Sequence, residues 1–317
     1  MLNKGHRPTR RCAVWGSPVA HSLSPVLHRA AYTALGLTGW SYERRDVGAE
    51  AFAGAFAALD PTWRGLSLTM PLKEAALAAA DTVTPLAATT GAANTLVRDD
   101  ASGWTAHNTD VHGIATALRL AGAARCESLL VIGSGATARS ALATLTARGA
   151  RVLFMVRDTV RPASLAQARD AGMDVDIVRM GDWAAAAEVD AVVSTVPPAS
   201  VPGLDRLPAA GPGDPGTRRP VLLDVVYGSG ETPLQRAARA RGWSVAEGTD
   251  MLLHQATEQV RLMTGHAAPT EAMAAALRQA LAARADAADA ADVADAADAA
   301  DAADAADAAG AAGAESR

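Results

Sequence analysis

Cysteine is scarce: Cys12 and Cys126 are the only two in 317 residues, and they stand in no CxxC or metal-ligand spacing. That excludes a disulfide framework and suits a reducing compartment, so a cytoplasmic protein is expected. No run of about 18 uninterrupted large apolar residues occurs, which excludes a membrane-spanning helix. The basic opening MLNKGHRPTRR leads into an apolar run broken at Gly16 and Pro18, so no signal peptide is expected. The seven histidines form no HxxH or HExxH pattern, and no metal is expected. Strong charge of either sign is lacking too. The net charge is −5, and eight aspartates between Asp286 and Asp307 outweigh it, leaving the rest of the chain at +3. Such a mildly basic body suits a small anionic ligand and not nucleic acid.

What is present is length and alternation. On size alone, 317 residues suggest about two domains of roughly 150 residues each, enough to bury a large core without staples. Short aliphatic or β-branched runs alternate with longer Ala/Leu-rich helical patterns. CAVWG (12–16) reads as a strand, followed by a helix from Pro25 with Leu27, Ala31, Ala34 and Leu35 on one face. WSYERRDV and GLSLTM read as strands, with helices at 51–59 and at PLKEAALAAAD. The second half continues with strands at 128–133, ARVLFMVR, DAVVSTVPP and PVLLDVVYG. A helix over ATARSALATLTARG is stopped by Gly149 at its C′ position, and two final helices at 249–264 and 269–283 have no strand between them. The alternation predicts an α/β protein of parallel βαβ units. It is organised as a first domain over 11–110, a second over 111–248, and C-terminal helices over 249–283 packing back onto the first. A Gly/Pro-rich loop is expected over 209–220. In the tail, 284–317, Asp-Ala-Ala repeats drift by about 60° per repeat around a helix and leave no apolar face, so that segment is expected to be solvated and frayed-helical or disordered.

Gly133-Ser134-Gly135-Ala136-Thr137-Ala138 fits G-x-G-x-x-A between an apolar strand and a helix, the setting of a dinucleotide-binding turn. Gly133 permits the turn, Gly135 lets backbone approach a pyrophosphate, and Ala138 allows close helix packing. After the next strand, Val156-Arg157-Asp158 offers both charges. Arg157 with Arg161 favours a 2′-phosphate, whereas Asp158 would repel one; the reading taken is NADPH.

Four first-half segments place polar residues where a core would not. In Gly16–Pro25, Ser24 reads as an N-cap with Pro25 at N1, while Ser22 is not needed for capping; the two hydroxyls could hold a carboxylate. In Leu68–Glu74, Pro71 at N1 would put Lys73 in a first helical turn, where the macrodipole disfavours a cation, with Glu74 its complement. Asn94 in Gly91–Thr95 suits either a left-handed turn or a ligand. Asp110 in His107–Gly113 suits a helix start. Singly, most of these read as structural.

Taken together and in this order, the segments closely resemble the shikimate dehydrogenase family: GSPVAHSLSP, LTMPLKE, GAANT, NTDVHG, GSGATA, STVPP, DVVYGSGETPL and GTDMLLHQA, from Cys12 to about Leu281. The resemblance implies a substrate-binding domain followed by a Rossmann domain, and reversible NADPH-dependent reduction of 3-dehydroshikimate to shikimate. Its implied catalytic pair is Lys73 and Asp110. Ser22, Ser24, Thr69, Asn94, Asp110, Tyr227 and Gln255 would hold the substrate. The glycine loop 133–138, Arg157, Arg161, Thr195, Val225, Gly248 and Met251 would serve NADP(H), with Tyr227 and Gly248 at the nicotinamide end. A small-molecule substrate and a monomer or homodimer are implied. The family's Asn-Arg-Thr is Val156-Arg157-Asp158 here, Ala136 replaces a commoner glycine, and Gly228-Ser229-Gly230 replaces a proline-bearing stretch. The alternatives are an NAD-dependent quinate/shikimate dehydrogenase and a non-catalytic metabolite sensor.

Overall fold

The computed structural model describes residues 9–99, 101, 103–209, 220–228 and 230–287. Most of the expected Gly/Pro-rich loop, Ser229 and the Asp-Ala-Ala run beyond 287 lie outside the described residues. Two six-stranded sheets organise the rest. The first takes β1 (Arg10–Gly16), β2 (Trp40–Asp46), β3 (Trp63–Leu68), β4 (Thr82–Val83), β5 (Thr95–Asp99) and β6 (Gly103–His107) in the order β2-β1-β3-β5-β6-β4. β1 runs parallel to β2 and β3, but β5 is antiparallel to both β3 and β6. This first sheet is therefore mixed: β1, β2 and β3 pair as the expected parallel units, and β5 adds an antiparallel hairpin that the sequence pattern did not announce. The reason is the short connection between Asp99 and Gly103, far too brief for a crossover helix, so the chain must return as a hairpin. Gly103 supplies the turn with φ +78°.

The second sheet is built from β7 (Ser128–Ile132), β8 (Arg151–Val156), β9 (Asp174–Arg179), β10 (Ala191–Ser194), β11 (Val221–Asp224) and β12 (Ser244–Ala246), in the order β12-β11-β10-β7-β8-β9. Every pairing in it is parallel. Counted from β7 this is the doubly wound order, with its switch point between β7 and β10. β7, β10 and β11 are buried along their whole length, as apolar strands covered on both faces must be. One core lies on each face of that sheet, one around Val131, Phe154 and Val193, the other around Ile132, Met155 and Trp183.

Helices α1 (Ser24–Ala34), α2 (Ala49–Ala57), α3 (Ala75–Ala79) and α4 (Pro85–Thr90) accompany the first sheet; α5 (Asp110–Leu120) leads to the second. There α6 (Ala136–Leu142), α7 (Pro162–Asp170) and α8 (Pro233–Ala240) follow β7, β8 and β11. α9 (Gly248–Thr264) and α10 (270–287) then return to the first sheet. Leu252, Ala256, Val260, Met273 and Leu277 join Cys12, Val14, Leu27 and Tyr42 in one core, so the return of the C-terminal helices rests on shared apolar burial.

Several local expectations are corrected. α1 buries Ser24, Pro25, Leu27, His28, Ala31 and Tyr32, whereas Ala34 is exposed, because the helix turns its aromatic and histidine face to the core. Leu23, not Ser24, is the N-cap, and no side chain caps it. α6 ends at Leu142, well before Gly149, which instead serves a later turn at φ +77°. Lys73 does not sit in a helical first turn: residues 70–74 form a turn, and α3 begins at Ala75. Glu74 is no dipole complement either; its carboxylate pairs with Arg139 at 2.7 Å. α10 runs to 287, past the expected end at 283.

His28 is fully buried, stacked on Tyr42 at 3.9 Å, with Nδ1 against the Ser24 carbonyl at 3.0 Å. Loss of hydration pushes its pKa from 6.5 down to about 4. The unfolded chain accepts a proton that the folded site refuses, so stability falls as pH drops from 6.5 to about 4. The loss over that window is about 3 kcal/mol. His28→Phe should flatten this part of a urea-stability profile against pH; an unchanged slope would contradict the assignment.

Candidate active site

The carboxyl ends of the parallel strands of both sheets open toward one cleft, the position where open α/β sheets receive ligands. From the first sheet come the 17–24 loop after β1 and the 69–74 turn after β3. Leu72, fully buried, anchors that turn, and the Ala93 N–H donates to the Lys73 carbonyl at 2.7 Å. Lys73 Nζ then reaches Asp110 Oδ2 at 2.7 Å, the side chains being only 16% and 6% exposed. Asp110 is the first residue of α5, where the helix N-terminus favours a carboxylate. Asn94 Nδ2 donates to Asp110 Oδ1 at 2.8 Å, and Asn94 Oδ1 accepts the Thr109 N–H at 2.8 Å. Asn94 thus links the 91–95 loop to the start of α5 and also lines the cavity.

The cavity around this pair is about 190 Å³. All eight residues expected to handle substrate line it: Ser22, Ser24, Thr69, Lys73, Asn94, Asp110, Tyr227 and Gln255. Ser22 and Ser24 are both buried at its edge, where Ser22 Oγ accepts the Ser24 N–H at 3.3 Å. Ser22, expected to be unnecessary for the helix start, is the one that bonds there. Arg44 fixes that loop by donating to the carbonyls of Ala20 and Ser22 at 2.7 and 3.0 Å. Burial raises the pKa of Tyr227, so its phenol stays protonated and able to donate.

Besides His21, two further polar residues line the cavity, and these were not read from the sequence. Ser67 Oγ donates to Gln259 Oε1 at 2.7 Å and accepts from Tyr42 at 2.6 Å; Gln259 Nε2 donates to Thr95 Oγ1 at 2.9 Å. Signals for both exist. Ser67 is the one polar residue in the apolar run Leu66–Leu68, and Gln259 lies one turn beyond Gln255 on the same helix face.

The residues expected for the dinucleotide divide. Thr137, Val225, Gly248 and Met251 also line the cavity. Gly133, Ser134, Gly135, Ala136 and Ala138 lie beyond it at the switch point, with Thr195 opposite after β10. Gly133 has φ +100°, and a Cβ there would meet Thr195 Oγ1 at 2.7 Å. At Gly135 a Cβ would meet nothing within 4 Å, leaving backbone open to a ligand. Ser134 is partly engaged: its hydroxyl accepts the Arg161 N–H at 3.1 Å and its carbonyl accepts from Ser164 at 2.8 Å. Arg157, Asp158 and Arg161 are all exposed. Thr137 Oγ1 accepts from Lys73 Nζ at 3.3 Å, which ties the glycine loop to the amine across the cleft.

Sequence models of the shikimate dehydrogenase substrate binding domain and the shikimate 5′-dehydrogenase C-terminal domain match residues 14–96 and 248–278. The NADP(+) shikimate dehydrogenase of Moorella thermoacetica is 36% identical over 86% of this chain and 93% of its own. Among solved structures, a shikimate 5-dehydrogenase of Mycobacterium fortuitum is 41% identical with TM-score 0.70, covering 84% of this chain and 97% of its own. A Thermus thermophilus shikimate 5-dehydrogenase, solved in complex with NADP(H) and shikimate, is 31% identical with TM-score 0.68, covering 86% and 99%.

Gly133→Ala forces a side chain into both a left-handed backbone and Thr195. It should cost roughly 1–3 kcal/mol of stability in chemical denaturation. A variant as stable as the parent would show that the turn is not held as described.

Proposed function

Because the chain belongs to the shikimate dehydrogenase family, we propose that it catalyses the reversible NADPH-dependent reduction of 3-dehydroshikimate to shikimate, with Lys73 and Asp110 handling the proton. The observation that carries this reading is the 2.7 Å contact of Lys73 Nζ with Asp110 in the cavity between the sheets. Residues 11–110 form the substrate-binding unit and 111–248 the dinucleotide unit, with 249–283 closing back on the first. The backbone of 133–136 would hold the pyrophosphate, and Thr195, Val225, Gly248 and Met251 the rest of the dinucleotide toward its nicotinamide. Arg157 and Arg161, both exposed beyond β8, would take the 2′-phosphate. NADPH bound there supplies the hydride.

The chain's own residues do the remainder. Hydride addition to the ketone puts negative charge on oxygen, and a positioned cation lowers that barrier. Lys73 has three N–H groups. One is directed to Asp110 and one to Thr137, leaving the third for the substrate oxygen. As charge develops the ammonium gives up its proton, and Asp110 holds the nitrogen in place throughout. Asn94 in turn holds Asp110 through its other oxygen. Ser22 and Ser24 donate to the ring carboxylate and Tyr227 adds a protonated phenol, while Thr69 and Gln255 face the ring hydroxyls. Together these contacts fix which face of the ring receives the hydride.

The test is the initial rate of NADPH formation from shikimate, with NAD+ and with quinate in parallel. Turnover of shikimate with NADP+ well above that with NAD+ is expected, and no turnover with either cofactor would sink the reading. Lys73→Ala should lower kcat by roughly 10²–10⁴ with KM little changed. Ser22→Ala should chiefly raise KM for shikimate, and an unaltered KM would remove it from the carboxylate site.

A further inference from the structure

A polar seam joins the two units beside the cavity, and one guanidinium dominates it. Arg139 lies on α6, two residues after Thr137, with a side chain only 3% exposed. Its Nε donates to the Thr90 carbonyl at 2.6 Å. One terminal nitrogen donates to the Gly91 carbonyl at 3.1 Å and to Glu74 Oε1 at 2.7 Å. All three acceptors belong to the first unit. On its own side, the Arg139 carbonyl accepts from Gln167 Nε2 on α7 at 2.9 Å, so the arginine is braced from behind. Ser140 repeats the crossing, its Oγ accepting from Asn108 Nδ2 at 3.0 Å.

The acceptors lie next to the proton-handling groups in the chain. Glu74 adjoins Lys73. Thr90 and Gly91 open the loop that carries Asn94, and Asn94 holds Asp110. The Lys73 carbonyl is itself tied to Ala93 in that loop. One buried cation therefore touches both segments that set the Lys73–Asp110 distance, the 90–91 loop through its carbonyls and the Lys73 turn through the Glu74 carboxylate, and it does so from the helix that the glycine loop opens. We propose that Arg139 is a positioning residue for Lys73, coupling the place of the glycine-loop helix to the place of the ammonium through Glu74 and the 90–91 carbonyls. This rests on the reading of Lys73 as the proton donor. A planar guanidinium can serve three acceptors in fixed directions, which a lysine ammonium at the same site cannot reproduce.

The experiment compares Arg139→Lys, Arg139→Met, Glu74→Gln and the Arg139→Lys/Glu74→Gln double variant with the parent. It measures kcat and KM for shikimate, NADPH affinity by fluorescence titration, and thermal midpoint. Both Arg139 variants should lose at least about tenfold in kcat, with KM and NADPH affinity within about threefold. Glu74→Gln, a near-isosteric change on a mostly exposed side chain, should lose at least about threefold in kcat. The double variant should be no slower than Arg139→Lys alone. A purely structural seam would lower the thermal midpoint and leave kcat of the folded enzyme unchanged, which overturns the proposal. So does a loss that appears only as weaker NADPH binding, or a Glu74→Gln enzyme with full kcat; that last result decides the matter even if both Arg139 variants fail to fold. Full activity in Lys73→Ala would instead defeat the underlying reading, whatever Arg139 does.

Discussion

An ammonium and a carboxylate held 2.7 Å apart, largely out of water, are the constraint around which this molecule is arranged. Partners placed this way interact far more strongly than a surface pair, but only if their remaining hydrogen-bonding capacity is met. The structure meets it from both sides. Asp110 has the start of α5 and the Asn94 amide; Lys73 has Thr137 and a backbone pinned by Ala93. The pair is thus built from three segments of the first sheet's unit and one of the second. Neither unit alone would complete it.

That requirement explains the unusual route of the chain. α9 leaves the second sheet and crosses back to the first, carrying Gln255 and Gln259 under the cavity while its apolar face enters the core around Leu27 and Tyr42. Gly248 begins it in close contact with the backbone after β11: a Cβ there would lie 2.6 Å from the Val226 carbonyl. One continuous helix consequently starts beside β11, passes along the cavity and ends in the first unit's core. The family relation to NADP(+) shikimate dehydrogenases fits an enzyme that must bring a ring carboxylate, a ketone and a dinucleotide into a single small space.

Much of this was legible in the residues. The glycine loop, the buried strands of the second sheet and the helix starting at Asp110 follow from punctuation and periodicity, and the ordered run of short motifs identified the family. What was not legible depended on contacts distant in sequence. Lys73 reads as helical because Pro71 suits a helix start, yet tertiary anchoring by Leu72 and Ala93 makes a turn of it. Glu74 reads as a dipole partner because nothing near it in sequence announces Arg139, 65 residues away. The hairpin of β5 and β6 escapes a sequence reading because helix and strand alternate on either side of it. Ser67 and Gln259 stay hidden because a single polar residue in an apolar pattern shows its role only once its partner is placed.

Whether Lys73 and Asp110 act as one unit is decided by a double-variant cycle. Single-turnover reduction of 3-dehydroshikimate would be compared for Lys73→Ala, Asp110→Asn and the two combined. If the residues work together, the double variant should be no more than about threefold slower than the slower single one. Losses that multiply would mean two independent contributions, and would contradict the claim that the amine and the carboxylate work as a pair.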